Sequence, residues 1–269
     1  MERRVEILFW LVIAALVALF TAQVAAPRLP AGLGFSSPVD VRVACTVKLL
    51  FLLVGTVTAF RCAARLGLGN PARPPWIATA LGLFSTLVGQ ANLARYQFSP
   101  RIEAPYPSLA DFFYVTAYPF FFVALIGFVR AYALVGYPIG SLRERWRWAA
   151  GATAVAIVVA LPLLLPVLRS PGLSGAKALN VAYPTLDLIL LIPTFLLLRA
   201  SLPLRGGRVW LVWGALLAGF VFMGVGDVLF AYFSTLGIAS VDPLLHATYI
   251  VSYGSLAVGV LRQHALLAS

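Results

Sequence analysis

The chain has 269 residues, 61% of them hydrophobic and only 11% charged, and its mean hydropathy of +0.95 excludes a soluble globular domain. Its 20 Lys and Arg against 9 Asp and Glu leave a net charge of +11. The cations sit in short loops between apolar runs rather than on a helical stripe, which speaks for membrane topology and against a nucleic-acid partner.

Apolar runs of about 20 residues recur along the whole length, the signature of membrane-crossing helices. They predict an all-α polytopic bundle of eight spans, a single integral-membrane domain over 1–269 whose first partner is the lipid bilayer. The spans fall at about 5–26, 39–66, 75–98, 107–135, 146–168, 176–200, 208–236 and 243–267. The first has the basic start and small-residue end of a leader, but its apolar region exceeds the 7–15 residues usual for one, which favours a retained span. Cys45 and Cys62 share the second span and lie too far apart along it for a disulfide. The loops at 27–34 and 171–175 are rich in Pro and Gly and read as turns.

Counting cations sets the orientation. Thirteen Lys and Arg fall on the side of the two termini, among them Arg3, Arg4, Arg143, Arg145, Arg147 and Arg262. Five fall on the other side: Arg28, Arg95, Arg101, Arg169 and Lys177. Arg42 and Lys48 lie within the second span and are assigned to neither. Both termini are therefore expected in the cytoplasm. Trp76, Trp146, Trp148, Trp210 and Trp213 cluster near the predicted cytoplasmic ends, as an interfacial belt would.

The fourth span opens Pro105-Tyr-Pro-Ser-Leu-Ala-Asp111-Phe-Phe-Tyr114-Val-Thr-Ala-Tyr118-Pro119, with acid and tyrosines at i, i+3 and i+7 on one helical face. The eighth repeats the spacing as His246, Tyr249 and Tyr253, and the sixth keeps the acid in Tyr183-Pro-Thr-Leu-Asp187. Val88-Gly89-Gln90 in the third span parallels Val225-Gly226-Asp227 in the seventh. These matches suggest that spans three–four and seven–eight are parallel helical-hairpin repeats. An ionisable residue inside a span costs roughly 2.5–3.5 kcal/mol to insert and therefore faces the bundle interior or a wet cavity. Asp111, Asp187 and His246, with Gln90, Asn92 and Asp227, are expected at one level in the extracytoplasmic half. The predicted ligand-binding set is Asp111, Asp187, Asp227, His246, Gln90, Tyr114, Tyr118, Tyr249 and Tyr253. Ser108 and Asp111 also have the spacing of a helix N-cap with an acid in the first turn, a local role that a pocket role does not exclude.

Enzyme signatures are missing: there is no His-Glu-x-x-His, no Cys/His cluster, no nucleophile elbow and no phosphate-binding glycine loop. No metal site is predicted, and no cofactor is named. Spans three to eight hold no deep lysine for a retinal, and axial ligation of a haem or chlorin would rest on His246 alone.

Pro107-Ser-Leu-Ala-Asp111-Phe-Phe-Tyr114, Tyr183-Pro-Thr-Leu-Asp187 and Gly226-Asp227-Val-Leu-Phe-Ala-Tyr232 resemble the N-terminal multi-helix membrane sensor regions of bacterial signalling proteins. In those proteins, abundant in actinobacteria, the membrane region precedes GGDEF, EAL or histidine-kinase modules. The resemblance spans about Trp76 to Val260. Two departures limit it: no output module follows through Ser269, and His246 stands where an acid would be expected. It implies an inner-membrane sensory protein that binds a small-molecule or lipid ligand and contacts a cytoplasmic or membrane protein partner. The rivals are a structural or pigment-binding subunit of a larger membrane complex, a small proton-coupled transporter, and an intramembrane enzyme using carboxylates and tyrosines for acid–base work.

Overall fold

The computed structural model describes residues 2–25, 41–99, 104–136, 140–172 and 174–268. Among these, eight long helices succeed one another: α1 (Glu2–Ala25), α2 (Val41–Arg65), α3 (Arg73–Gln97), α4 (Leu109–Leu134), α5 (Leu142–Arg169), α6 (Gly175–Ala200), α7 (Arg208–Leu236) and α8 (Asp242–Ala268). They match the expected spans to within a few residues; the expected loop at 27–34, with Arg28, and Arg101 lie outside the described residues. Seven of the helices are long and apolar enough to cross a bilayer, and the chain is a multi-pass membrane protein. The exception is α5, which qualifies only as two pieces, Leu142–Val158 and Ala160–Arg169, bent by 55°. Its cause is legible: Pro162 has no N–H, and its ring crowds the carbonyl of Val158 four residues back.

Local sequence fixes the helix starts. Ser141 opens α5, its side chain accepting from the Glu144 N–H at 3.3 Å while Glu144 Oε2 accepts from the Ser141 N–H at 2.9 Å. Ser174 does the same for α6 through the Lys177 N–H at 3.1 Å. Gly237, at φ +68°, closes α7 in the left-handed conformation that a glycine adopts without strain.

Helix α8 is the central post. Of its apolar window 78% is buried, against 17% for α1 at the periphery, and every residue from Ser252 to Leu261 is buried. A helix enclosed on all sides needs small residues where neighbours come close, because lipid provides no hydrophobic drive between helices and packing must hold them. A Cβ on Gly254 would lie 2.5 Å from Ile13 of α1, one on Gly259 would lie 2.8 Å from Leu216 of α7, and one on Gly219 of α7 would lie 2.5 Å from Leu256. At the end bearing both termini, Arg262 of α8 donates to Glu6 of α1 at 2.8 Å and to the Leu211 carbonyl of α7 at 2.9 Å.

The expected tryptophan belt holds only in part. Trp146 and Trp148 are exposed, but Trp76 and Trp213 are buried. Trp76 packs on Phe128 with ring centroids 4.9 Å apart, and Trp213 donates its indole N–H to the Tyr132 hydroxyl at 2.6 Å. Their position along the span was read correctly; their direction around the helix, which sequence spacing does not fix, turns them inward. Both cysteines are buried, and neither forms a disulfide among the described residues.

Candidate functional site

In the half of the bundle remote from the termini, side chains of α2, α3, α4, α6, α7 and α8 surround a cavity of about 340 Å³. Eight of the nine predicted residues line it: Asp111, Asp227, His246, Gln90, Tyr114, Tyr118, Tyr249 and Tyr253. Asp187 does not. It stands behind Tyr118, in the wall of a second, largely apolar groove of about 880 Å³ between α5, α6 and α7.

The acids lie in two tiers rather than at one level. Asp111 of α4 meets Tyr183 of α6, whereas Asp187, four residues farther along α6, meets Tyr118, seven residues farther along α4, a step of roughly 6–10 Å at 1.5 Å per residue. In the upper tier Asp111 closes the start of α4, its Oδ2 accepting from the Ser108 N–H at 2.6 Å and hydroxyl at 3.0 Å. Its Oδ1 accepts from the Tyr183 hydroxyl of α6 at 2.8 Å. The capping role and the cavity role thus coexist in one carboxylate.

In the lower tier the Tyr118 hydroxyl lies 3.0 Å from Asp187 Oδ1 and 3.0 Å from Asp227 Oδ2, and Tyr249 donates to Asp227 Oδ1 at 2.6 Å. A phenol carries one hydrogen and can donate to one carboxylate only. Both Tyr118 contacts are hydrogen bonds together only when one of the two carboxyls contributes a proton of its own. Asp187 Oδ2 has no protein partner among the described residues. Gly224 leaves room for this acid, since a Cβ there would lie 3.1 Å from that of Asp187.

The two hairpins α3–α4 and α7–α8 make the same kind of contact. Tyr114 donates to Gln90 at 3.3 Å, and its ring lies 2.9 Å from where a Cβ on Gly89 would stand. Tyr249 donates to Asp227, and its ring lies 3.0 Å from where a Cβ on Gly226 would stand. A glycine before the polar residue admits the ring; the next residue takes its hydroxyl.

Comparison with protein-family models, with curated proteins and with solved structures gave no match. The site's chemistry therefore rests on its own geometry.

His246 is not an isolated imidazole. Its Nδ1 lies 3.3 Å from Lys48 Nζ of α2; an ammonium can only donate there, which requires the lone pair of an unprotonated ring nitrogen. The cavity has room for about eleven waters at roughly 30 Å³ each. Asn92 turns away from the site to the Val88 carbonyl of its own helix, at 2.9 Å.

Sequence reasoning missed four contributors. Lys48, only 2% exposed, lines the cavity; a lone cation inside a span was the signal. Tyr183 was visible in the third motif copy, where only Asp187 was taken. Cys45 accepts from Gln90 Nε2 at 3.1 Å and also meets Gln97 Oε1. Tyr106, in the turn before α4, donates to Asn180 Oδ1 at 2.6 Å. Burial, and then the nearby carboxyls of Asp111 and Asp227, push the Tyr106 pKa well above the ordinary tyrosine value, so its hydroxyl stays a donor.

Proposed function

We propose that this protein is an integral-membrane receptor that binds a small molecule in the outer chamber and relays its occupancy to a partner at the termini-bearing end. The observation that carries the reading is the convergence of polar side chains from six helices on one cavity. Burying so many polar groups together costs stability unless they are paired, and such clusters mark ligand sites in membrane bundles. The relay is supported by α8, which carries His246, Tyr249 and Tyr253 at the chamber and has no proline after Pro243. The charge count supports cytoplasmic termini, and the sequence resemblance supports a bacterial sensory role.

The test is a thermal-shift screen of small molecules on purified protein in detergent, repeated on Met223→Trp. Met223 lines the chamber and is not hydrogen-bonded there, so the larger ring fills the space. Stabilisation by a compound in the wild type and its loss in Met223→Trp is expected; stabilisation that survives the filled chamber removes the site.

A second reading, a small proton-coupled transporter, is favoured by one observation: the chain Asp227–Tyr118–Asp187 runs from the chamber to the wall of the lateral groove. Uptake into vesicles driven by a proton gradient and abolished by Asp187→Asn would establish it in place of the receptor.

A further inference from the structure

The donors and acceptors around the chamber are unevenly spent. All four carboxyl oxygens of Asp111 and Asp227 are engaged by Ser108, Tyr183, Tyr118 or Tyr249, while the carboxyl of Asp242 lines the cavity at the start of α8. The donors are not used up. Lys48 Nζ has three hydrogens, and its one hydrogen bond is to His246. No carboxylate pairs with it among the described residues, where the ion pairs are Arg199–Glu144 and Arg262–Glu6. Its other neighbour is the Tyr249 ring, whose centroid lies 5.9 Å from Nζ. Tyr253, stacked against the opposite partner of that ring pair at 6.1 Å, presents a cavity-lining hydroxyl with no hydrogen bond among the described residues. An ammonium this buried is unfavourable without a counter-charge, and the side chain reaches into the chamber, where a ligand could supply it.

Resting on the reading of the chamber as a ligand site, we propose that its ligand is a small monocarboxylate whose carboxylate seats on Lys48 Nζ and the Tyr253 hydroxyl. Asp111, Asp227 and Asp242 face the same cavity and oppose an anion. The oxygens of Asp111 and Asp227, however, are each engaged by a hydroxyl or N–H group, Asp242 stands at the first residue of α8, and the two-sided Tyr118 contact requires a proton within the Asp187–Asp227 pair, which leaves that pair one negative charge rather than two. Tyrosines 106, 114, 118, 183, 249 and 253 supply flat walls, and a volume of about eleven waters suits an aromatic acid of similar heavy-atom count.

Three isosteric probes isolate the charge: benzoate, benzamide and benzylammonium, titrated onto the purified full chain in detergent with heat and thermal stability as readouts. Benzoate is expected to bind at least tenfold more tightly than benzamide, and benzylammonium more weakly than either. In Lys48→Met the preference for benzoate over benzamide is expected to vanish; in Lys48→Arg and Tyr253→Phe it is expected to shrink but persist. The wild-type ranking needs no variant and stands even where Lys48→Met fails to fold. Benzylammonium or benzamide binding as tightly as benzoate, and lost in Met223→Trp, overturns the carboxylate while sparing the chamber. Benzoate binding unchanged in Lys48→Met also overturns it, and no binding by any probe overturns both readings.

Discussion

Replacing Tyr118 by Phe removes one hydroxyl and tests whether the lower tier is a joint between helices. The ring is 5% exposed and its oxygen lies 3.0 Å from both Asp187 and Asp227. Asp187 loses its hydroxyl partner on Oδ1, and its Oδ2 has no hydrogen bond among the described residues. A buried acceptor left unpaired costs roughly 1–3 kcal/mol. Interhelical hydrogen bonds in membrane proteins average only about 0.6 kcal/mol, since the unfolded chain in the bilayer also finds partners. Asp227 keeps Tyr249, so its share is small, and the sum is about 2 kcal/mol, roughly a thirtyfold change in the unfolding equilibrium. The control is Tyr253→Phe, which deletes a hydroxyl without a described bond and is expected to cost less than about 0.5 kcal/mol. Reversible unfolding in mixed micelles measures both. A Tyr118→Phe loss no larger than that of Tyr253→Phe refutes the bridging hydroxyl as a structural bond. A double-mutant cycle with Asp187→Asn should then show coupling above about 0.5 kcal/mol, as residues in one hydrogen-bonded network do.

Gly219→Ala places a methyl 2.5 Å from Leu256 Cγ and 3.1 Å from the Ser252 carbonyl, and Leu256 is itself packed; overpacking of this kind costs about 1–3 kcal/mol, read in the same unfolding assay. Reporter fusions after residue 269, one active only outside and one fluorescent only inside the cytoplasm, check the orientation; the inside reporter alone should be active, as thirteen cations against five predict.

Membrane class and helix positions were legible because hydropathy over a span of fixed length is a one-dimensional property. Much of the chamber was legible too, since an acid such as Asp227 inside a span has to find a partner and the tyrosines at i+3 and i+7 were the donors at hand. Partner choice was not. Asp111 takes Tyr183 and Asp187 takes Tyr118, two contacts between α4 and α6, because both helices start at the same end of the bundle and run side by side. Sequence spacing orders residues along a helix but gives no relative height between two of them, so the two tiers were read as one. The same blindness to direction left Lys48, two turns inside a span, assigned to neither side. Only the burial of Nζ against His246 shows where it points.

The helices around the chamber differ in stiffness, and that difference decides where a signal could travel. Pro119 lies inside α4, and Pro184 and Pro193 lie inside α6; each missing N–H leaves a joint that absorbs displacement. Between Tyr249 at the chamber and Arg262 at the termini-bearing end, α8 has twelve residues without a proline, a rod of about 20 Å. Its glycines are seated against Ile13, Phe51 and Leu216, so it fits its neighbours in discrete positions rather than sliding continuously. A ligand shifts such an equilibrium only by its differential affinity for the two seatings, and contacts to Lys48 on α2 and Tyr253 on α8 are the ones that a shift of α8 would stretch. On the receptor reading, Ser255→Pro should therefore leave benzoate affinity within about threefold, under about 0.7 kcal/mol, yet abolish any ligand-dependent change in hydrogen exchange around Arg262. Ligand-dependent exchange there that persists through the broken α8 would place the relay in another helix.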